Sequence, residues 1–314
     1  MDLKKGTSPS HTEISTSHCY LVIDLTFCRQ RRLEEVTTLR ELGRHEHILA
    51  LIDSWEQYDH LFIQTELCEN GSLDIFLRDY GNIERLDEFR VWKILVELTL
   101  GLQHIHNANY IHLDIKPANV FITFEGTLKI GDFGLATHLP VPAGLEREGD
   151  REYIAPEILE WQQYGKEADI FSLGMTILES AANVCLPDNG LPWQKLRSGD
   201  LSDAPRLSSS DEARLGVGSA EEDGMDVDGG EMVQYAGGRG LEGGKLDEIV
   251  KWMLSPKPAN RPSCHDLLQN EQVRWVDSRR RAGAVIYEGD FGPDDSEVDE
   301  DKEEMEDVDW QMEL

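Results

Sequence analysis

His112-Leu113-Asp114-Ile115-Lys116-Pro117-Ala118-Asn119 decides how this chain is read, together with Asp132-Phe133-Gly134, which begins thirteen residues after Asn119. Phosphoryl transfer needs an acidic side chain to orient the attacking hydroxyl, and oxygen ligands that hold Mg²⁺ on a triphosphate. Asp114 suits the first task, and Asn119 and Asp132 suit the second. Lys116 lies two residues after Asp114, within reach of the transferring phosphoryl group. The spacing therefore predicts a phosphoryl-transfer site.

These two stretches resemble the catalytic loop and the metal-binding loop of protein kinases. The resemblance implies ATP and Mg²⁺ as cofactors, Asp114 and Lys116 as catalytic residues, and Asn119 and Asp132 as metal ligands. A chance cluster of Asp and Asn in loops is the alternative, and it does not explain why the neighbouring motifs follow in order.

Other parts of the kinase pattern follow along the chain. Asp169, in Asp169-Ile170-Phe171-Ser172-Leu173-Gly174, resembles the buried helix acid that anchors the catalytic loop of kinases. Ala155-Pro156-Glu157 resembles the end of an activation segment, and the resemblance implies an ion pair between Glu157 and Arg261. Both features are expected to support the fold and not the chemistry.

The expected fold class is α+β, with a two-lobed kinase-like architecture whose mainly-β small lobe is truncated and whose large lobe is mainly α. We expect a disordered N-terminus at 1–18, a partial small lobe at 19–66 and the large lobe at 67–277. Within the large lobe, 198–244 is rich in Gly, Ser and acids without periodicity and is predicted to be a disordered acidic insert. The acidic tail at 278–314 is predicted to be disordered as well.

Periodicity predicts the main elements. Arg31 to Leu42 is expected to be a helix, because its apolar residues recur every three positions. Two strands, His47–Trp55 and His60–Glu66, are expected to follow. Leu86 to His106 carries the clearest apolar stripe of the chain, and Asp87 is suited to cap its N-terminus.

The resemblance also implies where the nucleotide binds. Thr65, Glu66 and Cys68 lie at the expected hinge between the lobes, and Glu35 is the helix glutamate that kinases use to hold the ATP-binding lysine. The neighbouring Glu34 is the alternative.

The start of the chain departs from the kinase pattern. No G-x-G-x-x-G-x-V loop is found, since Gly6 is the one glycine before Gly43. Tyr20-Leu21-Val22-Ile23 resembles the third strand, with Ile23 in the place of the lysine. Two readings stay open: a fragment of a longer kinase, or a catalytically impaired pseudokinase that acts as a protein-binding module.

Several segments narrow the resemblance to the Wee-type kinases that restrain mitosis. They are Glu41-Leu42-Gly43-Arg44-His45-Glu46-His47, Leu51-Ile52-Asp53-Ser54-Trp55, Gly71-Ser72-Leu73 and Gly149-Asp150-Arg151-Glu152-Tyr153. The resemblance implies transfer of the ATP γ-phosphate to an inhibitory tyrosine of a cyclin-dependent kinase in G2/M control, in the nucleus or the cytoplasm. From the residues alone, Lys116 is typical of Ser/Thr kinases, so the tyrosine preference comes from the resemblance.

Two residues bear on regulation and substrate. Leu113 stands where many kinases carry an arginine that binds an activation-loop phosphate, and between Asp132 and Glu157 the hydroxyl side chains are Thr137 and Tyr153. We therefore expect no dependence on activation-loop phosphorylation. Asp150 stands where Ser/Thr kinases carry a threonine, and it is expected to pair with Lys116.

Composition excludes some classes of partner. The formal net charge is −31, and residues 288–314 carry fourteen Asp or Glu against one Lys. Such a chain is not expected to bind nucleic acid or an anionic membrane. The acidic tail either recruits basic partners or only solvates the chain. The five cysteines are scattered, which is typical of reduced thiols.

Overall fold

The computed structural model describes residues 11–15, 18–24, 29–58, 60–81, 85–208 and 244–280. Most of the predicted disordered insert and tail, at 209–243 and 281–314, lies outside the described residues, as do residues 1–10.

The small lobe is built on a four-stranded antiparallel sheet with the strand order β1-β2-β4-β3. Its strands are β1 (His11–Ser15), β2 (His18–Asp24), β3 (Leu51–Gln57) and β4 (His60–Glu66). The prediction of β4 is confirmed to the residue. β3 begins later than the expected His47, because residues 47–49 pair with a strand of the large lobe instead.

The prediction that residues 1–18 lack regular structure is wrong for His11–Ser15. This strand pairs with β2 in a continuous register from His11 opposite Val22 to Ser15 opposite His18. β2 in turn pairs along its full length with β4. Main-chain hydrogen bonds to a neighbouring strand therefore order a stretch whose polar composition gave no signal.

Helix α1 (Arg29–Leu42) lies against this sheet. Val36 packs with Leu61 and Ile63 of β4 in a small buried cluster. The helix begins two residues before the expected Arg31, and its interior matches the prediction.

The large lobe is organised around α3 (Glu88–Asn107), which packs against several of the other helices and against two short strands. The Asp87 carboxylate accepts a hydrogen bond from the Arg90 amide at 2.9 Å, so the predicted cap is confirmed. Trp92, Leu95 and Leu98 of α3 are fully buried in the main core. The other helices are α2 (Leu73–Gly81), α4 (Pro156–Trp161), α5 (Lys166–Ala182), α6 (Gly190–Ser198), α7 (Lys245–Met253), α8 (Cys264–Gln269) and α9 (Glu271–Asp277).

Two short hairpin-like pairs fix the loops that face the small lobe. β5 (Tyr110–Ile111) pairs with β8 (Thr137–His138), and β6 (Val120–Ile122) pairs with β7 (Leu128–Ile130). The loop between β5 and β6 contains Asp114, and the loop between β7 and β8 contains Asp132. Both loops therefore open at the same edge of the large lobe.

The predicted boundaries of the insert and the tail are too wide. Leu207 is buried, and its amide donates to the Asp247 carboxylate at 2.9 Å, so the chain is ordered beyond residue 198. At the other end, the Arg280 guanidinium donates to the buried Glu97 carboxylate at 2.8 Å. Contacts with residues elsewhere in the chain anchor each stretch, which composition cannot reveal.

Within the described parts of the chain, no helix combines the length and apolar character needed to cross a membrane.

Candidate active site

The catalytic loop rests on one buried carboxylate. Asp169, from the first turn of α5, accepts hydrogen bonds from the His112 amide at 2.9 Å, the Leu113 amide at 2.8 Å and His106 Nε2 at 2.9 Å. Leu113 has a φ of +67°, a conformation that a branched side chain adopts only when its surroundings impose it. The predicted anchoring role of Asp169 matches this geometry.

The hydrogen bonds around Asp169 also set its protonation state. Burial alone would raise the pKa of this carboxyl, but the hydrogen bond and charge of His106 and the amide of His112 outweigh burial, and the net pKa is lowered. Asp169 therefore stays ionised and keeps all three donors.

Asp114 sits at the centre of a cluster of polar groups. Asn119 Nδ2 donates to the Asp114 carbonyl at 2.8 Å and to Asp114 Oδ2 at 2.9 Å. The Asp150 amide donates to Asp114 Oδ1 at 3.2 Å. The carboxylate is thus fixed in orientation by the catalytic loop on one side and by the segment that follows Gly149 on the other.

Gly149 allows that second approach. A Cβ atom at this position would collide with the carbonyl oxygen of Leu113. Only glycine lets the segment carrying Asp150 come so close to the catalytic loop.

Lys116 lies between two carboxylates, with Nζ 3.2 Å from Asp114 Oδ2 and 3.2 Å from Asp150 Oδ2. The expected pairing of Lys116 with Asp150 is present. Partial burial lowers the pKa of the Lys116 ammonium, but the charges of Asp114 and Asp150 more than offset it, and the net pKa is raised. Lys116 therefore stays cationic beside the acid.

The loop with Asp132 is brought next to Asn119 by the main chain. The Gly131 amide donates to the Asn119 carbonyl at 2.8 Å. Asp132 has a φ of +54°, and its Oδ1 accepts from the Gly134 amide at 3.2 Å. His112, which sequence reasoning did not single out, joins the two loops: its Nε2 donates to the Gly131 carbonyl at 3.0 Å, and its ring contacts Phe133 edge-on.

The donor set around Asn119 and Asp132 fits Mg²⁺. The Asn119 amide nitrogen is engaged by Asp114, so the amide oxygen is the atom left for a cation. Asp132 adds a carboxylate oxygen. Magnesium is a hard cation that takes a few protein oxygens and shares the rest with water and phosphate.

A comparison with protein-family models matches residues 24–273 of this chain to the protein kinase domain. The chain belongs to the protein kinase family. The match covers the small lobe from the end of β2 onward and the large lobe to residue 273. It includes the loops with Asp114 and Asp132, so the expected two-lobed kinase fold is confirmed.

Similar kinases show which branch of the protein kinase family this chain resembles. The mitosis inhibitor protein kinase wee1 of Schizosaccharomyces pombe is 58% identical over 264 residues, which is 84% of this chain and 29% of that protein. The mitosis inhibitor protein kinase SWE1 of Saccharomyces cerevisiae is 42% identical over 322 residues, 83% of this chain and 39% of that protein. A membrane-associated tyrosine- and threonine-specific cdc2-inhibitory kinase of Drosophila melanogaster is 35% identical over 256 residues, 81% of this chain and 41% of that protein. This chain therefore spans less than half the length of these relatives, and its similarity to the Wee-type kinases is confirmed.

The end of the activation segment is fastened as the kinase resemblance implied. Arg261 donates to both oxygens of Glu157, at 2.6 and 2.8 Å, and both side chains are buried. Tyr153 donates its hydroxyl proton to Glu179 Oε2 at 2.5 Å. Thr137 and Tyr153 are both buried, so neither hydroxyl of the segment faces solvent.

The structure separates the two helix glutamates. Glu35 is buried and lies near the metal-binding loop. Its Oε2 atom is 2.9 Å from Arg32 Nη1, and both atoms lie beside Gly134 of that loop. Burial and the charge of Asp132 raise the pKa of Glu35, while Arg32 opposes the shift. Glu34 points elsewhere and pairs with Arg147 of the activation segment at 2.7 Å. Of the two glutamates, Glu35 is therefore the one that lies beside the metal-binding loop.

The hinge residues lie where the chain leaves β4. Thr65 and Glu66 end the strand, and Cys68 follows in a turn in which the Gly71 amide donates to its carbonyl at 3.2 Å. The Glu66 side chain is already engaged: it accepts from the Ala50 amide at 2.6 Å and lies 3.1 Å from Lys129 Nζ. Any contact of Glu66 with a nucleotide is therefore expected from its main chain.

Proposed function

We propose that this chain is a protein kinase domain that transfers the terminal phosphoryl group of MgATP to a hydroxyl of a protein substrate. The observation that carries the proposal is the arrangement of Asp114, Lys116 and Asn119 in hydrogen-bond contact, with Asp132 brought beside them by the Gly131–Asn119 main-chain bond. Phosphoryl transfer depends chiefly on positioning and electrostatic stabilisation, and this arrangement supplies both.

In this proposal Asp114 accepts the proton of the attacking hydroxyl. Its Oδ1 and Oδ2 are held by the Asp150 amide and Asn119, so the carboxylate does not have to reorient when substrate arrives. Lys116 stabilises negative charge that builds up beside Asp114. Asn119 and Asp132 hold the metal, which neutralises charge on the phosphates when bound.

The nucleotide is proposed to lie between the hinge and helix α1. Thr65, Glu66 and Cys68 would line its base, and Glu35 would hold a cation beside its phosphates. Arg32 is the cation that Glu35 contacts in the structure, at 2.9 Å.

For the substrate, we propose an inhibitory tyrosine of a cyclin-dependent kinase, modified in the nucleus or the cytoplasm. The names of the similar yeast kinases describe inhibitors of mitosis, and the name of the Drosophila kinase describes a tyrosine- and threonine-specific inhibitory kinase of cdc2. Asp150 supports an altered substrate platform, because its carboxylate pairs with Lys116 and its amide donates to the Asp114 carboxylate.

We further propose that activity does not require phosphorylation of the activation segment. The two hydroxyl side chains between Asp132 and Glu157 are buried, and Leu113 offers no cation for a phosphate. Treatment with a phosphatase should leave activity within about twofold, since no phosphate contact exists to lose.

An assay with ATP and a purified cyclin-dependent kinase tests the proposal. Wild type should produce phosphotyrosine, and Asp114→Asn, which is nearly the same size but a poor base, should lower the rate by roughly 10²–10⁴-fold. Phosphate on serine or threonine would contradict the tyrosine preference. A signal unchanged in the variant would reveal a contaminating kinase. No incorporation by a folded wild type would overturn the enzyme proposal in favour of a binding module.

A further inference from the structure

One arginine of the activation segment contacts three separate parts of the molecule. Arg147 Nη2 donates to Glu34 Oε2 of helix α1 at 2.7 Å. Its Nη1 donates to the Leu135 carbonyl at 2.9 Å and also to the Ala136 carbonyl. The Arg147 amide donates to the Tyr164 hydroxyl at 3.1 Å. The Arg147 side chain is only 13% exposed.

These contacts act on the metal-binding loop. Leu135 and Ala136 directly follow Asp132-Phe133-Gly134, so Arg147 holds the main chain as it leaves that loop. Arg31 Nε of helix α1 donates to the Gly134 carbonyl at 2.8 Å, one residue earlier. The loop is therefore tied to helix α1 twice, directly through Arg31 and through the Arg147–Glu34 ion pair.

In kinases that need activation, a phosphate on the segment supplies negative charge, and arginines elsewhere receive it. Here the signs are reversed, because the segment supplies the cation and helix α1 supplies the anion. We propose that Arg147 is a positioning residue that holds the activation segment and the metal-binding loop against helix α1, in the place of an activating phosphate. This inference rests on the proposed kinase function for its effect on catalysis.

The chemistry suits a permanent link. A guanidinium has five donors in a rigid plane and stays charged at any physiological pH, so it can join a carboxylate and carbonyls at once. Exposed ion pairs contribute little, but Arg147 is mostly buried, and its removal would leave the Leu135 and Ala136 carbonyls without this donor.

Arg147→Gln in the full chain tests the inference with two readouts. Amide hydrogen exchange over residues 133–150 should become at least about tenfold faster. In the variant, local opening of this segment no longer has to break the contacts of Arg147. The kcat should fall about 10–100-fold through misplacement of the loop, while KM for ATP stays within about twofold. Arg147→Lys, which keeps the charge but has its donors on a single nitrogen, should recover part of the kcat.

A matched control removes another ion pair of the same helix. Arg29 pairs with Glu56 at 2.9 Å, and both are largely exposed, so Arg29→Gln should change neither readout. Unchanged exchange in Arg147→Gln would overturn the inference. The inference would also be overturned if the kcat of Arg147→Gln fell together with its melting temperature and Arg147→Lys recovered none of the kcat. If wild type transfers no phosphate, the proposed function fails, but the exchange rates still decide: faster exchange supports the link, and unchanged exchange refutes it.

Discussion

Asp169 beneath the catalytic loop and Glu35 on helix α1 are both carboxylates with little solvent exposure, yet their pKa values move in opposite directions. Asp169 is 0% exposed with a lowered pKa, and Glu35 is 6% exposed with a raised pKa. Asp169 receives three hydrogen bonds, whereas Glu35 contacts Arg32 and feels the negative charge of Asp132. Burial disfavours the anion at both residues. At Asp169 the hydrogen bonds and the charge of His106 outweigh burial, whereas at Glu35 burial and the charge of Asp132 outweigh Arg32.

The same contrast describes the two halves of the cleft. The half from the large lobe is fixed by hydrogen bonds that converge on Asp169 and Asp114 before any ligand binds. The half from helix α1 depends on Glu35, a carboxylate that burial disfavours and that contacts Arg32. The large-lobe half is therefore expected to tolerate few substitutions, and the helix half to tolerate more.

The largest expected loss of stability comes from removing the Asp169 carboxylate beneath the catalytic loop. Asp169→Ala removes the acceptor of two buried amides and of His106, which should lower the free energy of unfolding by about 3–5 kcal/mol. Asp79→Ala is a suitable control, because its side chain is 72% exposed, and it should change stability by no more than about 0.5 kcal/mol. Urea unfolding measures both. A loss below about 1 kcal/mol in Asp169→Ala would mean that the catalytic loop does not depend on this carboxylate.

Glu179 tests the contrast between Asp169 and Glu35 further, because it is a mostly buried acid that accepts a hydrogen bond from Tyr153. Burial, aided by the charges of Glu152 and Asp150, raises its pKa to about 7 despite that hydrogen bond. A carboxyl with a raised folded-state pKa favours folding when protonated, and that contribution is lost as pH rises from about 4.5 through about 7.

Glu179→Gln keeps an acceptor for Tyr153 and cannot ionise. It should therefore be more stable than wild type by about 2 kcal/mol at pH 8 and by clearly less at pH 5. Denaturant unfolding at the two pH values measures this, with the exposed Glu160→Gln as a control that shows no such difference. Equal effects at both pH values would contradict the raised pKa.

Glu97 is another buried acid, and it has several partners, like Asp169. It accepts from the Leu128 amide at 2.9 Å, from the buried Lys93 at 2.8 Å and from Arg280 at 2.8 Å. Arg280→Ala leaves two of these partners, so the loss of stability should be smaller, about 1–2 kcal/mol. Arg274→Ala on the exposed side of α9 is the control. A loss equal to the control would show that residue 280 belongs to the tail after all.

Sequence predicted the elements whose signals are local. The cap and stripe of α3 and the strand β4 depend on residues that are close in the chain. The Lys116–Asp150 pair joins residues 34 positions apart, and it was expected from the comparison with Ser/Thr kinases. The roles of Asp169 and of the Glu157–Arg261 pair came from the kinase resemblance, because residues far apart in sequence meet there.

Two kinds of contact were missed: the pairing of a polar stretch with the strand that follows it, and contacts between distant residues with no repeating pattern. Nothing in the polar stretch at 11–15 indicates that β2 will pair with it. Leu207, Arg280 and Arg147 lie in irregular or charged segments, where periodicity carries no information. Single anchoring contacts of this kind are visible only once the chain is folded.

The smallest expected effect tests the helix half of the cleft. Glu35→Gln removes a charge that burial and Asp132 both disfavour, while an amide oxygen remains for Arg32. Because the raised pKa shows that the ionised form is strained, stability at pH 8 should stay within about 1 kcal/mol of wild type or rise slightly. A melting curve at pH 8 is sufficient, with the exposed Glu160→Gln as the control. A loss above about 2 kcal/mol would show that Glu35 is anchored as firmly as Asp169, and the two halves of the cleft would then be alike.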